Sequence, residues 1–180
     1  MNIGKLKMQI RREKSPLAEP LSACSGTGVF VGYASLFGVR DASGDMVMPG
    51  AFATSLKRRG PENIRMLFQH DPAEPVGAWL EMIENERGLY VRGRLDQNVQ
   101  RGRELLSLLE TRGLDGLSIG FKTVNATREK IMQTRQLNTI DLWEVSLVTF
   151  PMLAGARVSD FKLAALAAAS RIFQRPTKHT

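Results

Sequence analysis

The chain has 180 residues, 43% hydrophobic and 24% charged, with a formal net charge of +7. That length holds one domain with a real core plus tails, in proportions ordinary for a globular protein. No run approaches the length of a membrane span, and the opening MNIGKLKMQIRREK lacks the apolar stretch of a signal peptide, so neither is expected. The single cysteine, Cys24, rules out an internal disulfide and any cysteine-based metal cluster. An intracellular protein without cofactor or metal is therefore expected, with no membrane partner. The basic residues (Lys5, Lys7, Arg11 and Arg12; 57–59; Arg101 and Arg103) are scattered, with no aromatic platform between them. They describe a solvated basic surface, and no specific nucleic-acid partner is expected.

Residues 1–27 form a polar lead-in, with a short edge strand over Lys5 to Ile10 and loop from Ser15 to Gly28. Val29 to Phe37 is rich in β-formers and opens the core. Asp41 to Gly50 is dense in turn residues, and Ala51 to Arg59 fits a helix. In Asn63 to His70 the residues Ile64, Met66 and Phe68 alternate onto one face, and His70 continues their parity. Pro75 to Ile83 and Leu89 to Leu95 form two strands of a hairpin. Asn98 to Arg112 is the clearest helix, stopped at Gly113. A charged hairpin region, Asn125 to Arg135, precedes a long β-rich stretch, Leu137 to Phe150. Residues 161–180 are an Ala-rich helix and a disordered tail. Many short strands with two or three helices point to a closed or nearly closed β-barrel domain over 28–160.

The stretch Gly113-Leu-Asp-Gly-Leu-Ser-Ile-Gly-Phe121 sets Ser118 among three glycines. Leu117, Ile119 and Phe121 share one face of an extended strand; Ser118 and Gly120 share the other. Ser118 is then either a turn residue beside a core strand or a nucleophile, and a nucleophilic serine needs a base that takes its proton. Of the two histidines, His179 sits in the tail, which leaves His70. The acid that would orient His70 stays open. Glu144 lies in an otherwise apolar stretch, where a carboxylate must find a partner; Asp141 and Asp71 are rivals. On strict alternation, Asp141 shares the core-facing side with Trp143, Val145 and Leu147, while Glu144 shares a mixed face with Ser146. Residues 116–120 also satisfy G-x-S-x-G, but no buried strand precedes them, the usable histidine lies upstream, and strands do not alternate with helices. That match is accidental. Backbone N–H groups near Gly116 to Gly120, Arg65 and Arg112 are candidate oxyanion donors.

In order and spacing, several short motifs together resemble the prohead (capsid maturation) proteases of tailed phages, a family related in fold to the herpesvirus assemblins. They are Gly32-Tyr33-Ala34, Gly44-Asp45 to Pro49-Gly50-Ala51-Phe52, Gln69-His70-Asp71 and Val76-Gly77. The set continues with Gly88-Leu89-Tyr90-Val91, Leu117-Ser118-Ile119-Gly120-Phe121 and Glu144-Val-Ser-Leu-Val-Thr-Phe-Pro151. The resemblance implies a β-barrel flanked by helices and a serine endopeptidase with His70 as general base, Ser118 as nucleophile and Glu144 as third member. It also implies scaffold segments or the N-terminal part of the major capsid protein as substrates, and self-cleavage. The site of action would be the prohead of a phage, or of a gene transfer agent, within the host cytoplasm. A homodimer is compatible with it. The competing expectations are a non-catalytic capsid-assembly or scaffold-binding protein and, on charge alone, a nucleic-acid-binding module.

Overall fold

The computed structural model describes residues 28–129 and 134–160. The expected lead-in strand, the hairpin tip and the C-terminal helix and tail lie outside the described residues. Eight strands and two helices are arranged as β1 (Val29–Leu36), β2 (Asp45–Val47), α1 (Ala53–Arg59), β3 (Arg65–Phe68), β4 (Asp71–Glu84), β5 (Gly88–Leu95), α2 (Gln100–Glu110), β6 (Gly116–Glu129), β7 (Thr134–Val148) and β8 (Val158–Asp160). They form one sheet in the order β2-β7-β3-β4-β5-β1-β8, with β6 paired to β7.

β7 is the strand on which the site is built. Along one edge it pairs antiparallel with β6, and along the other it pairs parallel first with β2 and then with β3. Between those two short partners α1 covers the edge. The Ile140 N–H donates to the Ala51 carbonyl at 3.0 Å and the Leu142 N–H to Ser55 Oγ at 2.9 Å. Ser55 is buried for this reason, because it satisfies a strand N–H that would otherwise be orphaned in the core.

The expected closed barrel is not what forms. The sheet is a curled half-barrel, open rather than closed: among the described residues β8 makes no strand ladder with β6. A single bridge, Gly116 to Arg157, and the Leu117 N–H bond to the Ala156 carbonyl (2.9 Å) cross the seam. Gly32 allows this approach, since a Cβ there would run into the Arg157 carbonyl. Inside the curl, Phe30, Phe52, Met66, Leu117, Leu142 and Leu147 are fully buried, each worth about 1.5–3 kcal/mol of transfer free energy. Phe30 meets Trp79 edge-to-face at 5.6 Å.

One local expectation is met and two are corrected. The charged hairpin region expected from Asn125 to Arg135 falls, within the described residues, on the outer arms of the β6–β7 hairpin, paired from Asn125↔Thr139 to Glu129↔Thr134. Its polar residues face solvent on an arm that covers little core, so no apolar alternation marks it. The C-terminus of α2 turns at Arg112 rather than Gly113. Arg112 takes the left-handed conformation (φ 57°), and the Gly113 N–H reaches back to the Leu108 carbonyl at 2.8 Å in a Schellman closure. Lastly, β7 does not alternate strictly. Gly120 pairs with Glu144 and Phe121 with Leu142, which leaves Trp143 as a bulge residue, half exposed. The core positions run Ile140, Leu142, then Val145 and Leu147. Trp143 and Asp141 therefore do not belong to the core-facing set.

Candidate active site

Ser118 is the third residue of β6 and lies directly across from Ser146 of β7; Gly120 lies across from Glu144. This puts Ser118, Gly120, Glu144 and Ser146 on adjoining positions of two paired strands. Ser118 is therefore in the body of an antiparallel strand and not in a strand-to-helix elbow. Beside it opens a cleft of about 130 Å³ between β1, the 39–45 loop and Met152–Leu153, lined mainly by apolar side chains.

His70 arrives from the other edge of β7. β3 ends at Phe68, so the expected strand through His70 is two residues too long. Phe68 pairs with Asp71 and the two residues between them form the hairpin loop, both at positive φ (Gln69 53°, His70 62°). The type I′ form of a two-residue hairpin requires that geometry, and Asn-Gly is its favoured sequence. Gln-His is a costly substitute, and strain of this kind is held only where surrounding bonds over-determine it. Here they do. The Gln69 N–H donates to the Leu147 carbonyl (3.0 Å), Gln69 Nε2 to Thr149 Oγ1 (2.7 Å), and the His70 N–H to Ser146 Oγ (3.1 Å).

The result is a tight histidine–carboxylate pair. His70 Nδ1 lies 2.6 Å from Glu144 Oε1, and Ser146 Oγ donates to Glu144 Oε2 at 2.7 Å. Glu144 is largely buried while the imidazole is 41% exposed. The hydrogen bond from His70 to Glu144 raises the imidazole pKa above its ordinary value near 6.5, against a smaller opposing effect of burial; the charge of Glu144 adds to the rise. With Nδ1 engaged, Nε2 is the ring nitrogen left for a proton acceptor's role. Among the described residues no hydrogen bond joins Ser118 Oγ to the ring; such bonds are commonly long in unliganded sites and shorten on substrate binding.

Asp141 is occupied elsewhere. Arg59 holds its carboxylate through two bonds of 3.0 Å, Arg58 and the Trp143 indole N–H bond it too, and these donors keep its pKa far below the usual carboxylate range. It ties α1 to β7. Asp71 accepts from the Ala73 N–H at 2.8 Å, within its own turn. Arg65, one proposed oxyanion donor, bonds the Glu62 carbonyl. Asp141→Asn is expected to lower the urea midpoint while changing any hydrolytic rate by less than about tenfold, or roughly 1.4 kcal/mol. Because the Asp141 pKa is depressed, its contribution is present above the unfolded carboxylate value near 3.9 and fades as pH falls below it. Denaturation series at pH 3 and pH 7 check the sign: the wild-type advantage over Asp141→Asn should shrink at the lower pH.

Sequence reasoning brought together Ser118, His70 and Glu144 and placed Gly120 and Ser146 on their faces, but it gave neither Ser146 nor Gly120 a part in seating the carboxylate. The available signal was a hydroxyl two places beyond a carboxylate inside an apolar run, and a glycine at the same spacing from the serine.

The half-barrel is that of a known structural class. The solved capsid assembly protease of bacteriophage T4 shares it with a TM-score of 0.57 and 14% sequence identity, over 68% of this chain and 82% of that one. Such a likeness speaks to fold alone. Sequence goes further: the family model described as "Caudovirus prohead serine protease" matches residues 17–170. The chain belongs to that family. It is 35% identical over 137 residues to the prohead protease of Enterobacteria phage HK97, covering 75% of this chain and 60% of that protein. To the prohead protease of Escherichia phage T5 it is 26% identical over 113 residues, covering 62% of this chain and 53% of that protein. The chain thus spans between half and two thirds of the length of these relatives.

Proposed function

We propose that this chain is a serine endopeptidase of head maturation, acting inside the prohead on scaffold segments or the N-terminal extension of the major capsid protein, and on itself. Ser118 Oγ attacks the scissile carbonyl carbon as His70 Nε2 takes its proton. Glu144 holds Nδ1–H and favours the imidazolium that results. The tetrahedral adduct collapses, the C–N bond breaks, and His70 returns the proton to the departing amine. Water then hydrolyses the acyl-Ser118 ester by the same proton path and restores the serine. The observation that carries this reading is the 2.6 Å His70–Glu144 bond, set beside a strand serine that opens onto a cleft. Family membership supports the same assignment.

The neutral imidazole is the base, so kcat/KM should rise with pH, with its midpoint at the folded-state pKa of His70, above about 6.5. Incubation with unprocessed major capsid protein, followed by intact mass, should give two fragments whose masses sum to the substrate plus one water. Stable binding without any new mass would favour a non-catalytic assembly role instead.

A further inference from the structure

We infer that Ser146 is a positioning residue for the proposed active site: its single hydroxyl fixes both the backbone that carries His70 and the carboxylate that orients the imidazole. This rests on the reading of His70, Ser118 and Glu144 given above. Ser146 is fully buried near the C-terminal end of β7, and its hydroxyl both donates and accepts within the site. It accepts from the His70 N–H at 3.1 Å and donates to Glu144 Oε2 at 2.7 Å.

These bonds close a small ring of contacts. The His70 side chain binds one oxygen of Glu144, Ser146 binds the other, and the same Ser146 oxygen receives the main chain of His70. The bonds of Gln69 to Leu147 and Thr149 hold the first turn residue, and the Ser146 hydroxyl holds the second. His70 sits at φ 62°, a conformation that a non-glycine residue abandons unless held. Glu144 has side-chain torsions that its one bond to His70 would not fix alone. The hydroxyl also donates to the oxygen that the imidazole does not use, so the carboxylate plane is set without competition for Nδ1–H. A serine buried merely to fill space would use one partner or neither; alanine would serve as well. The residue is fully buried, paired with Ser118 on one neighbouring strand and with Leu67 of β3 on the other.

The test separates positioning from packing. With Ser146→Ala, kcat for peptide cleavage should fall about ten- to a hundredfold, the scale of losing sub-ångström alignment, with KM changed less than threefold. The proton-linked readout does not need turnover. Imidazole NMR titration in the Ser118→Ala background, which keeps the chain intact, should show the His70 midpoint raised with Ser146 present. With Ser146→Ala added, it should move down toward 6.5. Glu144 is the acid facing the ring, and Asp71 is turned to Ala73, so a downward move reports the Glu144 contact.

One measurement uses no substitution of Ser146. The His70 amide of the Ser118→Ala chain should exchange with solvent at least tenfold more slowly than an unprotected amide in the same sequence. An unchanged His70 titration with unchanged kcat in Ser146→Ala, a loss confined to KM, or free exchange of the His70 amide overturns the inference. Should Ser118→Ala itself still cleave substrate, the assignment of Ser118 as nucleophile fails, while titration and exchange still judge the role of Ser146.

Discussion

Replacing Ser118 by alanine is expected to leave a folded chain that no longer cleaves capsid protein or itself, with kcat reduced on the order of 10⁴- to 10⁶-fold. The size of the effect follows from the chemistry. Without Oγ there is no acyl intermediate, and what remains is whatever binding and dipoles can do for attack by water. The fold should be nearly indifferent. Ser118 is a small, 6% exposed strand residue whose flanking neighbours, Leu117 and Ile119, supply the core contacts. Alanine keeps the pairing with Ser146, so the change in stability should stay within about 1 kcal/mol. Intact mass over time reads the loss of cleavage, because wild type should shorten while Ser118→Ala keeps its length. Equal shortening in the two chains would remove Ser118 from the mechanism.

The second large effect concerns the carboxylate. Glu144→Gln should lower kcat by about 10²- to 10⁴-fold, less than Ser118→Ala, because the base survives without its orienter. Its signature is also in the pH profile. The bond to Glu144 is the main reason the His70 pKa is raised, so the midpoint of the activity rise should move down in the glutamine variant. The stability sign runs the other way. A histidine whose folded pKa is raised contributes stability fully below its unfolded value near 6.5, and loses it as pH rises through the folded value. Acid therefore favours the ion pair while catalysis needs it deprotonated. Gly120→Ala probes the same carboxylate from the neighbouring strand. A Cβ at residue 120 would overlap Glu144 Oε1 and lie 2.8 Å from its Cγ, so the carboxylate must leave its place. A loss of roughly 10²-fold is expected, with the His70 midpoint lowered as in Glu144→Gln. Full activity in Gly120→Ala would mean that the carboxylate position seen here is not the one that matters.

Much of this was legible in the sequence, and the misses share a cause. The core strands and the hairpin of β4 and β5 follow from β-formers and turn residues, and α2 from apolar spacing with Leu105 and Leu109 inward. The pairing of His70 with Glu144 was reachable because histidine is scarce and a carboxylate in an apolar strand demands a partner. The Trp143 bulge was not, since nothing in Asp-Leu-Trp-Glu distinguishes a bulge from regular alternation, and one extra residue reverses every parity before it. The Gln69-His70 turn was hidden as well. Turn propensity argues against those residues at positive φ, and only long-range bonds to Leu147, Thr149 and Ser146 hold them there. Openness of the half-barrel depends on whether β6 and β8 pair across the seam, a long-range choice that no local pattern announces.

In the proposed mechanism Ser118 is a nucleophile activated by the His70–Glu144 pair. This is tested most directly by reacting the purified chain with a fluorophosphonate and mapping the adduct. Serine oxygen displaces fluoride from phosphorus, and His70 takes the serine proton. One adduct on the peptide containing Ser118 is expected, slowed at least a hundredfold in His70→Ala. Labelling of a different serine, or labelling of Ser118 at an undiminished rate in His70→Ala, would contradict it.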